Sequence, residues 1–368
     1  MLLTAVAFIF LLSLLIIIHE FGHFYAARKA GVIVEEFGFG LPPMAKALFV
    51  SGGTKFTLNW VPFGGFVRLK GETAITQQDL TAEGSFHRAS IPARIVILSA
   101  GVFMNFVLAI VLLTIGFSAG RWIPTYFTLE DMQRHAGSGV IDLELGVVIE
   151  QVVSGGSAAK AGVPEKSVLL KVNNTPITLA EQVVPLQVGK HNVTYTVLAG
   201  SGTAKEMTFT FPLQDGKSGV ALSTVPRHIS APLRNPWQSF LLSLRESKIM
   251  TEQTILGIGA LFSSLAHTGK VPEGITGIVG IAQLTYTSVQ AGFMTYLRLV
   301  ALISLSLAIL NFLPFPALDG GRLIFVIAEG ITRRPLNRRF EATMNTLGFS
   351  VLVLLILIIT FYDIIRLF

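Results

Sequence analysis

Long apolar runs divide the chain into four segments that are each suited to cross a lipid bilayer. They cover about residues 2–27, 95–117, 293–313 and 347–362. A membrane-spanning helix needs roughly 20 predominantly apolar residues, which these runs approach or exceed. No basic stretch precedes the first run and no small-residue cleavage site follows it, so we expect a retained span and not a cleaved signal peptide. The pattern predicts a polytopic α-helical membrane protein with about four transmembrane helices.

Two stretches of different character lie between the second and third runs. Residues 143–224 are rich in Gly, Ser, Thr and Val and alternate in "VTYTV" and "EMTFTF". Such alternation is typical of strands and predicts a small, mostly β soluble domain. Residues 225–292 contain "NPWQSFLLSLRESKIM", which is typical of an amphipathic helix in the membrane interface, with Trp237 as an anchor.

The predicted organisation therefore has four parts. Residues 1–142 form the first part of the membrane domain, with two transmembrane helices, and residues 293–368 form its second part, with two more. Residues 143–224 form the soluble domain, and residues 225–292 form the interfacial segment.

Charge predicts the orientation. Eight lysines and arginines lie between residues 28 and 94, and five arginines lie between residues 322 and 339. Connections rich in basic residues stay on the cytoplasmic side of a membrane. We therefore expect both of these connections inside the cell, and the 143–224 domain and both termini outside.

Composition narrows the class of protein further. Hydrophobic residues make up 51% of the chain and charged residues only 14%, against roughly 25% charged in average soluble domains. The absence of cysteine excludes disulfides and cysteine-ligated metals. The net charge of +6 does not indicate nucleic acid, because the basic residues flank apolar runs and form no aromatic-interleaved groove.

The motif "HEFGH" at residues 19–23 ends the first apolar run. His19 and His23 are one helical turn apart on the same face, so both can reach one Zn²⁺. Glu20 would lie beside the metal, where it could take a proton from the attacking water. The H-E-x-x-H pattern also arises by chance. Its position here favours function, because ionisable groups within a span are costly unless they are used.

A catalytic zinc usually has three protein ligands, so a third ligand is expected. In "NFLPFPALDGG" at residues 311–321, Asp319 follows a break at Pro314 and Pro316. Asp319 could instead be a helix N-cap, a position that favours aspartate. Topology favours the role of Asp319 as a zinc ligand, because the first and third spans enter the membrane from the same side. His19 lies ~27 Å along its helix, at the cytoplasmic level where Asp319 also arrives.

The two motifs together resemble the site-2 protease family of intramembrane zinc metalloproteases (peptidase family M50), most closely its bacterial regulator-of-sigma-E protease branch. "GFG" at 38–40 and "VPFGGFVRLKG" at 61–71 look like the family's membrane-associated β-hairpin, near residues 38–70. "GSAAKAGVPEKSVLLKVNNTPI" at 156–177 resembles the core of a bacterial PDZ domain, which is an α+β fold. The external region has room for one such domain, and Lys166-Ser167 stand where relatives usually have a Gly-Asp turn.

The resemblance implies one zinc ion with His19, His23 and Asp319 as ligands and Glu20 as the base. It also implies a substrate-binding set near the metal, in which Asn311 holds the substrate or the oxyanion. The other members of this set are Pro314, Gly64 and Gly65. The hairpin at 56–69 could add an extended substrate as a strand, or it could be a structural plug; peptide capture by an edge strand favours the first reading.

Two lesser signals complete the sequence picture. Asn105 is polar within the second span, and we expect it to bond to a neighbouring helix instead of facing the site. The histidines outside the motif are expected at the surface; they are His87, His135, His191, His228 and His267.

The predicted function is proteolysis within the bacterial cytoplasmic membrane. The expected substrates are single-span membrane proteins, such as anti-sigma factors or remnant signal peptides, and the enzyme is expected to be a monomer. The alternative is a zinc-binding transporter or scaffold without hydrolysis. Transporters tend to have repeat-related halves, which are not visible here, and a purely structural zinc site needs no base such as Glu20.

Overall fold

The computed structural model describes residues 2–72, 81–199, 205–334 and 336–366. The chain divides into two compact units. One comprises Met1–Gly120 and Asn235–Phe368, and the other comprises Arg121–Arg234. The first unit is mainly helical and the second is built on a β-sheet.

The elements follow one another in this order. The first stretch has α1 (Leu2–Lys29), β1 (Val34–Ser51), β2 (Thr54–Leu69), a 3₁₀ turn (Phe86–Arg88) and α2 (Ile91–Ser118). The second unit has α3 (Leu129–Gly137), β3 (Asp142–Val152), α4 (Ser157–Lys160), β4 (Ser167–Val172), β5 (Thr175–Pro176), a 3₁₀ turn (Ala180–Gln182), α5 (Val183–Gln187), β6 (Asn192–Ala199), β7 (Lys205–Pro212) and β8 (Val220–Ser230). The last stretch has α6 (Pro236–Thr268), α7 (Ile278–Gln290), α8 (Phe293–Phe312), α9 (Asp319–Thr332) and α10 (Arg338–Ile365).

Within the described residues, five helices are long and apolar enough to cross a membrane. Four of them, α1, α2, α8 and α10, contain the four apolar runs of the sequence. The fifth is α6, which falls in the segment that the sequence assigns to the interface. It has 33 residues, and its mean hydropathy of 1.2 is the lowest of the five. By length and composition, α6 is therefore a fifth candidate span beside the four that the sequence predicts.

Helices α1 and α8 begin at the same end of the first unit. The hydroxyl of Tyr296, near the start of α8, donates to the carbonyl of Ala7, near the start of α1, at 2.8 Å. Leu11, Leu15 and Val300 form a buried core between the two helices. The later residues of both helices therefore reach the opposite end together, which brings the two sequence motifs close to one another.

Helix α6 packs against the rest of the first unit through polar residues in its first four turns. Ser239, Ser243, Glu246 and Ser247 are all buried. The hydroxyl of Thr114, in the last turns of α2, donates to Ser243 at 3.1 Å. At the far end, Tyr362 in the last turn of α10 donates to the carbonyl of Gly269 at 3.0 Å. Helix α6 thus begins beside the C-terminal part of α2 and ends beside the C-terminal end of α10.

Strands β1 and β2 are long enough to pair with each other more than once. Phe37 of β1 is paired with both Val67 and Phe56 of β2. Residues 36–39 consequently lie between two stretches of β2, at 65–68 and 55–58. The sequence predicts a hairpin in this region; the structure shows the same two strands folded further, so that residues 61–69 form one edge of the sheet.

The expectation that the remaining histidines lie at the surface is wrong for His135 and for His87, which are both half-buried. His87 lies in the first unit. Its Nδ1 atom is buried without a hydrogen-bond partner among the described residues. Burial, together with the nearby guanidinium groups of Arg338 and Arg94, lowers the pKa of His87 to about 4. Both arginines bind Glu329, at 2.6 and 2.7 Å, which ties the first turns of α10 and α2 to the last turn of α9.

The second unit is a sheet with the strand order β7-β6-β4-β3-β8, to which β5 adds beside β4. Strands β3 and β8 pair from Asp142–Ser230 to Val152–Val220. This long pairing keeps all of β8 in the second unit. The unit therefore extends from Arg121 to Arg234, which is wider than the predicted domain of residues 143–224. Its core contains Tyr195, Val147 and Ile149, none of which is exposed.

Candidate active site

The first unit brings three potential metal-binding side chains to one point. The Nε2 atoms of His19 and His23 are 3.1 Å apart. The Oδ2 atom of Asp319 lies 2.9 Å from the first and 3.3 Å from the second. All three ligand atoms lie within 4.8 Å of one another. Two imidazole nitrogens and a carboxylate that converge in this way need a cation or a shared proton between them, so the donor set fits a divalent metal such as zinc.

Helix geometry supplies the two histidines. They lie in consecutive turns near the end of α1, and both are buried. The Nδ1 atom of His23 lies 2.8 Å from the carbonyl oxygen of Ile97 in α2. A carbonyl can only accept, so Nδ1 carries the proton and donates it. This leaves the Nε2 lone pair directed at the common point, which is the usual way that an outer contact orients a metal-binding histidine.

Asn105 contacts the other histidine, which corrects the expectation that it only bonds to a neighbouring helix. Its side-chain amide lies 3.4 Å from Nδ1 of His19, and the residue is fully buried. Its Oδ1 atom has no partner among the described residues. The two ends of an amide are assigned from their partners. With oxygen facing His19, the amide accepts from Nδ1–H, and Nε2 of His19 is again left free for a metal.

Close backbone packing places α2 against the histidines. A Cβ added to Gly101 would lie 2.7 Å from Nε2 of His19 and closer still to Nε2 of His23. A Cβ added to Gly22 would lie 2.6 Å from the carbonyl carbon of Ala100. Only glycine fits at either position without movement of a helix or of the histidine rings.

Asp319 is the first residue of α9, and its carboxylate turns toward α1. The N-cap of α9 is Leu318, and no side chain caps this helix end. The alternative role of Asp319 as an N-cap is therefore not the arrangement in the structure. Gly320 and Gly321 follow, and a Cβ on either would collide with backbone at the end of α8 or in the loop after it. The two glycines let α9 begin directly beside that loop.

Glu20 points into a cavity of about 260 Å³ beside the three ligand atoms. Its Oε2 atom accepts a hydrogen bond of 3.0 Å from the backbone N–H of Val67. That N–H lies on the side of β2 that faces away from β1, so the edge of the sheet borders the cavity. Glu72 and Arg322 complete the lining on this side, and they form an ion pair of 2.5 Å.

The predicted substrate-binding residues are not at the cavity wall. Asn311, Pro314, Gly64 and Gly65 are not among the described residues that line it. Gly65 lies close to the site, since a Cβ there would be 4.0 Å from Cγ of Glu20. Gly64 has a φ of 89° and lies beside Leu41 and Ile16. Their role with a substrate remains a prediction.

Sequence reasoning missed Glu72 and Arg322. Arg322 had a signal, since it follows Asp319 by three residues and so shares a helix face with it. Glu72 had none, because its position depends on how far β2 runs before the chain turns.

A unit with several long apolar helices, in which two histidines, an aspartate and a glutamate meet at a cavity, fits the class of membrane-embedded, metal-dependent hydrolases. The sequence model of peptidase family M50 matches residues 7–355. The chain therefore belongs to peptidase family M50, and the resemblance to site-2 proteases is confirmed. It is a zinc metalloprotease, with several long apolar helices that fit an integral membrane protein.

Individual relatives align along nearly the whole chain. A Clostridium acetobutylicum protein, provisionally named a zinc metalloprotease, is 27% identical over 96% of this chain and 95% of its own length. A Synechocystis protein with the same provisional name is 27% identical over 95% of this chain and 92% of its own length. An Enterococcus faecalis protein, provisionally named protease Eep, is 26% identical over 99% of both chains.

Proposed function

We propose that this protein hydrolyses peptide bonds in the transmembrane segments of single-span membrane proteins. The observation that carries the proposal is the cavity in which His19, His23 and Asp319 converge beside Glu20 and a strand edge. The three converging side chains are the proposed zinc ligands. Zinc bound there would supply polarisation of the scissile carbonyl and a water of lowered pKa.

Glu20 is the proposed general base. Its carboxylate lies next to the ligand atoms without joining their cluster, because it is bonded to the N–H of Val67 instead. From this position it can take the proton of the attacking water and pass it to the leaving amine.

The edge of β2 at residues 61–69 is the proposed platform for the substrate. A helical substrate hides its amide bonds, so it must become extended before cleavage. An extended chain can add to an exposed strand edge through backbone hydrogen bonds. The Val67 N–H, which binds Glu20 at 3.0 Å, lies on the edge that a substrate strand would use. Strand addition here would run the scissile bond past the base.

The proposed location is the bacterial cytoplasmic membrane, with the second unit and both termini outside. Helices α2 and α10 both start at the ion-pair cluster of Arg94, Glu329 and Arg338, and α6 joins the regions where those two helices end. If α2 and α10 both cross the bilayer, then both ends of α6 lie on the external side. This supports the interfacial assignment of α6, with its exposed apolar residues in contact with lipid.

The proposed substrates are anti-sigma factors or remnant signal peptides, and the proposed active form is a monomer. The decisive experiment incubates the purified protein with a single-span substrate, with and without a zinc chelator. Glu20→Gln should lose cleavage but keep its zinc, because the glutamate moves a proton and is not a ligand. Glu35→Gln, at an exposed position in the same region, is the matched control and should cleave normally.

Two results would count against this function. Zinc lost in parallel with activity in Glu20→Gln would make Glu20 a ligand. Stoichiometric zinc binding by the wild-type protein without cleavage of any single-span substrate would favour the transporter or scaffold alternative.

A further inference from the structure

The loop that leads to Asp319 contains an alanine in an unfavourable backbone conformation. Ala317 has a φ of 74°, in the left-handed region that residues with a Cβ rarely adopt. Only Leu318 separates it from Asp319. The direction in which Asp319 leaves the loop therefore depends on a conformation that alanine does not favour by itself, and something in the surrounding structure must hold it.

Helix α10 supplies the contact that holds this conformation. The Oδ1 atom of Asn345 accepts a hydrogen bond of 3.2 Å from the backbone N–H of Ala317. One turn later, Gly348 lies against the preceding residue of the loop. A Cβ on Gly348 would be 2.5 Å from the carbonyl oxygen of Pro316 and 2.6 Å from its Cβ. Asn345 and Gly348 thus form one face of α10 that fits the loop.

Packing alone does not hold Ala317. A cavity of about 350 Å³ lies beside it, lined by Ala317, Arg322, Asn345, Thr346 and Phe349. The loop therefore has room to relax on that side, and the hydrogen bond to Asn345 is the directional restraint. Asn345 does not line the cavity that contains Glu20 and the ligand atoms. Any influence it has on the metal site must pass through the loop.

We propose that Asn345 is a positioning residue for the metal site. It holds Ala317 in the left-handed conformation and thereby sets where the Asp319 carboxylate meets His19 and His23. The proposal rests on the proposed role of Asp319 as a ligand. It adds a fourth helix, α10, to those that determine the geometry of the site.

The test measures the affinity for zinc by competition with a chelator, together with the unfolding temperature of the zinc-free protein. Asn345→Leu keeps the size of the side chain but removes the acceptor, and it should weaken zinc binding by roughly 10-fold, as loss of a group that orients a ligand typically does. Asn345→Asp keeps the acceptor and should bind zinc as the wild-type protein does. Thr346→Val is the matched control, since the Thr346 hydroxyl donates only to Ala342 in its own helix.

A second substitution separates positioning from a general structural role. Glycine adopts positive φ readily, so Ala317→Gly should reduce the need for Asn345. In the Ala317→Gly background, Asn345→Leu should weaken zinc binding by only about two- to threefold. A residue that merely stabilised α10 would show the same loss in both backgrounds.

Several results would overturn the proposal. Wild-type zinc affinity in folded Asn345→Leu would do so, as would an equal loss with alanine or glycine at position 317. If Asn345→Leu does not fold, weakened zinc binding in folded Asn345→Asp would also refute it. Asp319→Ala provides the distinction from the proposed function: full zinc affinity in that variant would reject the ligand assignment itself.

Discussion

Replacing Gly101 with alanine should remove tight zinc binding while leaving the helical unit folded. The added methyl group would lie 2.7 Å from Nε2 of His19 and closer to Nε2 of His23. Ordinary contact between such atoms begins at 3.4 Å. One or both imidazole rings must therefore shift by about 0.7 Å or more, or α2 must move away from α1 by a similar distance.

Such a shift is large for a metal site and modest for a fold. Zinc–nitrogen distances vary by only about 0.2 Å between sites. We therefore expect zinc affinity to fall by at least about 10-fold. Inserting one extra methyl group into a packed region costs about 1–3 kcal/mol of stability. Folded proteins typically have a free energy of unfolding of about 5–15 kcal/mol, so most of the variant should remain folded.

The assay is the zinc content of the purified protein by mass spectrometry, with thermal unfolding and cleavage measured on the same sample. Gly257→Ala is the matched control, because nothing lies within 4 Å of a Cβ there and it too is inside a helix. Its zinc content and activity should be unchanged. Normal zinc content and cleavage in Gly101→Ala would show that α2 does not constrain the histidines, and the packing argument would be wrong.

Two further predictions concern regions outside the metal site. The pKa of His87 is about 4 in the folded protein, below the 6.5 of the unfolded chain. The stability that neutral His87 contributes is therefore complete above pH 6.5 and is lost as the pH falls toward 4. After allowance for its partial exposure, His87 should account for about 1 kcal/mol of the stability lost between pH 7 and pH 5. Thermal unfolding at both pH values checks this, and an equal pH dependence in His87→Gln would contradict it. The second unit is predicted to act as an external size filter with little affinity for substrate, so replacing residues 122–233 with a flexible linker should preserve cleavage of short substrates and permit cleavage of untrimmed ones. Loss of activity on short substrates in a folded, zinc-containing deletion would make the unit a recruiting domain.

The sequence predicted the helical histidine pair and the four long apolar runs because both depend on local periodicity. It also predicted that Asp319 approaches the histidines, because the direction of successive spans follows from counting them. The contact of Arg322 was accessible in part, since helical spacing places it on the same face as Asp319, whereas Asn105 was expected to face away from the site. A sequence provides no rotation angle for a helix, however, so the face of α2 that meets α1 could not be assigned.

Long-range pairing accounts for most of what could not be predicted. The second pairing of residues 36–39 with 55–58 depends on how the strands bend, and no local pattern determines that. The bounds of the second unit depend on the pairing of β3 with β8, which are separated by many residues. His87 is half-buried only because the first turns of α2 and α10 meet beside it. In each case the partner is distant in the chain and carries no motif.

The proposed metal site illustrates how a precise arrangement can be built within an apolar helical unit. Among the described residues, the polar contacts to the two histidine Nδ1 atoms come from Asn105 and the carbonyl of Ile97, whereas Asn345 bonds to the loop before Asp319. Much of the positioning comes instead from backbone contacts at Gly101 and Gly348, where no Cβ fits. Small residues allow membrane helices to approach closely, whereas buried polar groups there require partners. A close contact at glycine sets the distance between two helices without adding a buried polar group that needs a hydrogen-bond partner. Substitutions that only add a methyl group should therefore be more harmful near this site than loss of a surface charge.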